Sequence, residues 1–108
     1  GEVTEDHFDQ YLIKIKIAFE NVGVGTATRL LAMKRPDYFV CLDSKNRDKL
    51  CEAFKIPKNV GLDDYWALVV ARLMDSNWWN ASEPPDPHQR RIWRGRAAFL
   101  DVMFYDPK

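Results

Sequence analysis

Residues 21–27 read Asn-Val-Gly-Val-Gly-Thr-Ala, and the chemistry this pattern offers lies in its backbone. Glycine reaches positive φ without a Cβ clash, and asparagine is among the few other residues that tolerate the left-handed region. Asn21, Gly23 and Gly25 therefore give three permissive positions just before a short apolar run. A helix starting near Thr26 would expose unpaired N–H groups and the positive end of its dipole. Bare amides of this kind bind anions, phosphate above all. Gly25, Thr26 and Ala27 are small and leave the approach open, while Arg29, one turn in, adds a charge. The competing reading is a tight helix–helix connection that binds nothing.

The elements that must position this turn follow from apolar spacing. Phe8, Leu12, Ile15, Phe19 and Val22 recur at steps of four and three, which predicts a helix over 4–20. Thr4 is a suitable N-cap, with Glu5 and Asp6 in the first turn. Ile13 and Ile17 lie off that stripe and widen the apolar face toward a second layer or a partner. A second helix is expected over about 26–34, with Leu30, Leu31 and Met33, ended by Pro36 because the residue before proline disfavours helix. Residues 38–42 read as an apolar, extended connector.

Asp43 or Ser44 then caps a third helix over 45–54, carrying Leu50, Cys51 and Phe54 inward. Asp63 caps a fourth over 64–76, with Trp66, Val69, Val70 and Leu73 on one face. Residues 77–88, with three prolines, predict a structured loop anchored if Trp78 and Trp79 tuck in. The last helix is expected over about 88–104, and Gly95 inside it costs about 1 kcal/mol against alanine. Such a glycine marks close packing or a local break. The expected fold is all-α: one compact bundle of about five helices spanning 1–108.

The turn and its flanks resemble the helix-hairpin-helix DNA-binding motif. Asn21-Val22-Gly23-Val24-Gly25-Thr26-Ala27, followed by Leu30, matches its run of glycine, hydrophobic, glycine, two variable residues, Thr or Ser, Ala and a further apolar residue. Gly23 stands at the second family glycine and Asn21 replaces the first. The resemblance implies a hairpin at about 5–34 that holds a nucleic-acid strand through backbone amides with little sequence preference. It implies contacts from Asn21, Val22, Gly23, Val24, Gly25, Thr26, Thr28 and Arg29, extended by Lys45 and Arg47. It also implies a monovalent cation at the hairpin carbonyls, and no other cofactor.

The segment Arg35-Pro36-Asp37-Tyr38-Phe39-Val40-Cys41-Leu42-Asp43 is similar to the stretch that follows the hairpin in the DNA glycosylases of this family. There it ends in a catalytic aspartate, a role the resemblance offers to Asp43, 17 residues after Thr26. The bifunctional members carry a lysine where this chain has Gly25, so Schiff-base lyase chemistry is not expected. Helix capping is the commoner job for such an aspartate. A flipped base also needs a pocket between two helical halves, and 108 residues are not expected to build both.

Net charge is zero, yet residues 26–58 carry +4 and 90–108 carry +3, against −3 over 1–25 and −4 over 59–89. Two basic segments on one face would follow a phosphate backbone. The dense run Arg90, Arg91, Arg94, Arg96 serves equally to pair with the acidic block. Cys41 and Cys51 do not make a disulfide framework and read as reduced thiols of an intracellular protein, cytoplasmic if bacterial. His7 and His88 lack ligand-like spacing, so no metal site is expected. No apolar run is long enough to span a membrane.

The chain starts at Gly1, which suggests a tag remnant and a domain taken from a longer protein. The expected function is a DNA-backbone-binding module of a nuclease, restriction or defence protein, with DNA and the rest of that protein as partners. The alternatives are a base-excision half-domain using Asp43 and a helical protein-docking module.

Overall fold

Thr4 starts the first helix as its sequence suggests: its hydroxyl accepts the His7 N–H, and the His7 ring accepts the Thr4 N–H in return. In the computed structural model, which describes residues 1–107, this helix is α1, Glu5–Ala18. It is followed by α2, Val24–Lys34, and α3, Arg47–Phe54. A 3-10 turn, Leu62–Asp64, and a π turn, Trp66–Val70, lead into α4, Ala71–Met74. Short helices α5, Asn77–Asn80, α6, Pro87–Arg94, and α7, Phe99–Met103, complete the chain. Among the described residues there is no strand, so the fold is all-α with seven α-helices.

The count exceeds the expected five for local reasons. Ser76 caps a single turn at Asn77–Asn80 by accepting the Trp79 N–H, inside what reads as a loop. Gly95 ends α6 instead of continuing a helix to residue 104. Ala98 then donates its N–H to the Pro36 carbonyl (2.9 Å) across the fold. A Cβ on Gly95 would lie 3.6 Å from that of Pro36, an ordinary van der Waals contact, so the break sits beside Pro36 without crowding. The π turn, closed by the Ala71 N–H on the Trp66 carbonyl, brings Tyr65, Val69 and Val70 inward together and leaves Trp66 half-buried.

The centre of the core is the connector. Phe39, Val40 and Leu42 are wholly enclosed, with Tyr38 and Cys41 nearly so. Phe8 of α1 packs its ring against Phe39, Tyr65 and Trp66 at centroid distances of 6.0, 5.8 and 5.9 Å. A buried segment with neither helix nor sheet must find partners for its backbone elsewhere. The Tyr65 hydroxyl meets both needs of Val40: it accepts the N–H (3.0 Å) and donates to the carbonyl (2.6 Å). Thr28 accepts the Leu42 N–H (2.8 Å), and Asn46 donates to the Cys41 carbonyl (2.5 Å). Trp79 donates its indole N–H to the Asp37 carbonyl (2.9 Å), so this tryptophan is an anchor.

Tyr65→Phe removes the partner of both Val40 groups without changing the ring. Leaving them unpaired in the core costs about 1–3 kcal/mol. Urea unfolding should show a lower midpoint at an unchanged slope, which reports stability alone.

Candidate nucleic-acid interface

The turn after α1 is made by Asn21. It adopts φ 53°, the left-handed conformation, whereas no described glycine has positive φ. Gly23 is extended (φ −90°, ψ 174°) and stands as N-cap of α2. The helix thus begins at Val24, two residues before the expected start at Thr26, and Gly25 lies inside it. No side chain caps this end and no acidic residue occupies its first turn. The Ala27 N–H bonds to the Gly23 carbonyl (3.0 Å), so the amides ahead of it, on Val24, Gly25 and Thr26, have no intrahelical acceptor. Asn21, Gly23, Thr26 and Arg29 are exposed, while Val22 and Val24 are half-buried against the core. A Cβ on Gly23 would meet nothing within 4 Å; on Gly25 it would meet the Asp43 Cβ at 3.6 Å.

Asp43 therefore sits beside the first turn of α2. Its Oδ1 accepts the N–H groups of Lys45 (2.9 Å) and Asn46 (3.2 Å), and its own N–H goes to Asn46 Oδ1 (3.0 Å). This is the capping role, displaced: α3 itself starts at Arg47, whose N–H takes the Asp43 carbonyl (3.0 Å). The other oxygen, Oδ2, lies 3.6 Å from the Arg29 guanidinium and 3.7 Å from Cys41 Sγ. Burial and the Asp43 charge push the Cys41 thiol up to about 11, so it stays protonated and a poor nucleophile. Cys51 is likewise raised by burial.

The remaining predicted contact residues divide. Thr28 does not face the turn; it is fully buried, donating to the Val24 carbonyl (2.7 Å) while it holds the Leu42 N–H. Arg47 is bound to the carbonyls of Lys58 (2.7 Å) and Val60 (3.1 Å), where it fixes the 55–61 loop. Lys45 reaches the Pro107 carbonyl (3.1 Å) and Lys49 pairs with Asp106 (3.5 Å). The 45–49 cluster thus fastens the chain's own loop and C-terminal residues. Arg90 and Arg94 both reach Glu83 Oε1 (3.3 and 3.6 Å), the pairing with the acidic block that their sequence allowed. Among the described residues no group of three metal-ligating side chains gathers, and no helix is long and apolar enough to cross a membrane.

Two residues that sequence reasoning passed over complete the surroundings. Asn46 is fully buried, and its amide donates to Asp101 Oδ1 (2.6 Å) from α7 as well as to Cys41. Asp101 is pushed above the ordinary carboxylate range, first by burial and then by Asp43. The Asn46 amide and Arg29 pull the other way. No family model, curated protein or solved structure matches this chain.

Because the folded state holds the Asp101 proton more tightly than the unfolded state, Asp101's own contribution to folding stability falls as pH rises from the ordinary aspartate range through its raised folded value. Asp101→Asn keeps an acceptor for Asn46 and removes the charge. The stability of this variant relative to wild type should therefore be greater at pH 7 than at pH 3, measured by urea unfolding at both.

Proposed function

We propose that this domain binds the DNA sugar-phosphate backbone, without reading sequence, as a module of a larger DNA-processing protein. The observation that carries the reading is the bare N-terminus of α2, uncapped and free of acidic residues, behind an open Gly23. The left-handed Asn21 adds support, because it stands where the resembling motif has its first glycine. The exposed Arg29 guanidinium offsets the neighbouring Asp43 charge and extends the positive surface toward an incoming phosphate. Thr28, Lys45 and Arg47 bond within the fold, so the contact set contracts to Asn21–Thr26 and Arg29.

The base-excision alternative has less behind it. Asp43 Oδ1 already accepts two backbone N–H groups and Oδ2 faces Arg29. A docking function is favoured by a separate observation: Ile13 and Ile17, one turn apart on α1, are 58% and 81% exposed. That reading expects concentration-dependent sedimentation without nucleic acid, removed by Ile17→Asp. A strictly monomeric domain that takes no protein partner counts against it.

Gly23→Glu probes the turn, since a Cβ at this position meets nothing within 4 Å and the change places a carboxylate before the amides. Wild type should bind labelled single- or double-stranded DNA with an affinity that falls as salt rises. The variant should lose at least about tenfold at low salt while keeping its circular dichroism and melting temperature. Equal binding by the folded variant would sink the proposal.

A further inference from the structure

A second feature lies away from the hairpin, where α5, the proline-bearing loop over 81–86 and α6 enclose a cleft of about 290 Å³. Trp78, Pro84, Ile92 and Trp93 give it apolar walls, Arg96 also lines it, and Gln89 stands exposed at its edge. Both lining indoles have their polar edges fixed. Trp78 Nε1 donates to the Arg96 carbonyl and Trp93 Nε1 to the Ala81 carbonyl, each at 2.6 Å. Trp78 also stacks on Phe99 (centroids 6.2 Å apart), so the wall is rigid and presents ring rather than N–H to a ligand.

Arg96 is the unusual member. Its guanidinium carbon lies 4.4 Å from the Trp79 ring centroid and 4.8 Å from that of Trp93. One nitrogen donates to the Trp93 carbonyl (3.2 Å), whereas Nε is shut off from solvent with no hydrogen-bond partner. No carboxylate pairs with Arg96 among the described residues, and none lines the cleft. The loop's own acid, Glu83, is taken by Arg90 and Arg94. A half-buried cation set on aromatic faces, with donors left over from its five, is short of one thing, an anionic acceptor. The volume falls at the small end for ligand sites, about 300 Å³, which suits one or two fused rings.

We infer that this cleft binds a small planar aromatic carboxylate, the ring against Trp78 and Trp93 and the carboxylate toward Arg96. The site shares no residue with the hairpin, so either proposal stands if the other fails. The test titrates 2-naphthoate into the protein and follows the indole N–H resonances of Trp78 and Trp93, with neutral 2-naphthalenemethanol as the matched probe. Naphthoate should shift both resonances saturably, and the alcohol should bind at least about tenfold more weakly. Arg96→Gln should erase that preference. Gln89→Trp, at an exposed edge position, should block both probes while the melting temperature stays that of wild type. Equal affinity for the two probes, naphthoate binding that survives Gln89→Trp, or no saturable shift of the two indoles at millimolar naphthoate would overturn the inference.

Discussion

The structure depends on satisfying the backbone of one buried, non-repetitive segment. Residues 38–42 cross the middle of the core with the geometry of neither a helix nor a paired strand. Peptide groups taken out of water in this way destabilise the fold by an amount comparable to a lost hydrogen bond each. Tyr65, Thr28 and Asn46 supply the missing partners, one from the helical region before α4, one from α2 and one from the turn before α3. These three side chains thus fix where the helices sit around the segment. The aromatic packing of Phe8 on Phe39 and Tyr65 adds apolar burial to an arrangement that the hydrogen bonds have already made specific.

The candidate interface inherits its form from the same bonds. Because Thr28 bonds to Leu42, the first turn of α2 is drawn against the end of the connector, and Gly25 lies beside Asp43, where an added Cβ would make ordinary van der Waals contact at 3.6 Å. The bare amides and the carboxylate therefore lie side by side, and the Arg29 guanidinium, 3.6 Å from Asp43 Oδ2, offsets the carboxylate's charge. The Asn46 amide carries the arrangement on to Asp101, so one end of α7 is tied to the same place.

Much of this was legible in the sequence. The Thr4 cap, the stop before Pro36 and the permissive character of Asn21 follow from local rules of backbone sterics, and the structure has each; of the stripe Phe8, Leu12, Ile15, Phe19 and Val22, the first two are buried, Ile15 and Val22 pack partly, and Phe19, past the end of α1, is exposed. The capping by Asp43 was legible too, though it serves the turn before α3 and not a helix starting at residue 45. What could not be read were pairings set by distance in space. Thr28 and Asn46 look like surface residues on their local stretches, and nothing near them in sequence announces Leu42 or Asp101 as partners. Lys45 and Arg47 read as an extension of the backbone contact because charge spacing along a helix says nothing about which part of the chain folds over it. The division of the last helix at Gly95 depended on Pro36, about sixty residues earlier, being close enough to receive the Ala98 N–H.

That last contact bears on how the chain reaches its fold. The carbonyls of Pro36, Asp37 and Val40 take their hydrogens from Ala98, Trp79 and Tyr65, residues made long after them. On a ribosome the first two helices and the connector emerge while those donors are still unsynthesised. The connector must then wait in water or in the company of a chaperone, since enclosing it early would strand its peptide groups. Collapse to the final core is in this sense a single late event, drawing on both ends of the chain at once.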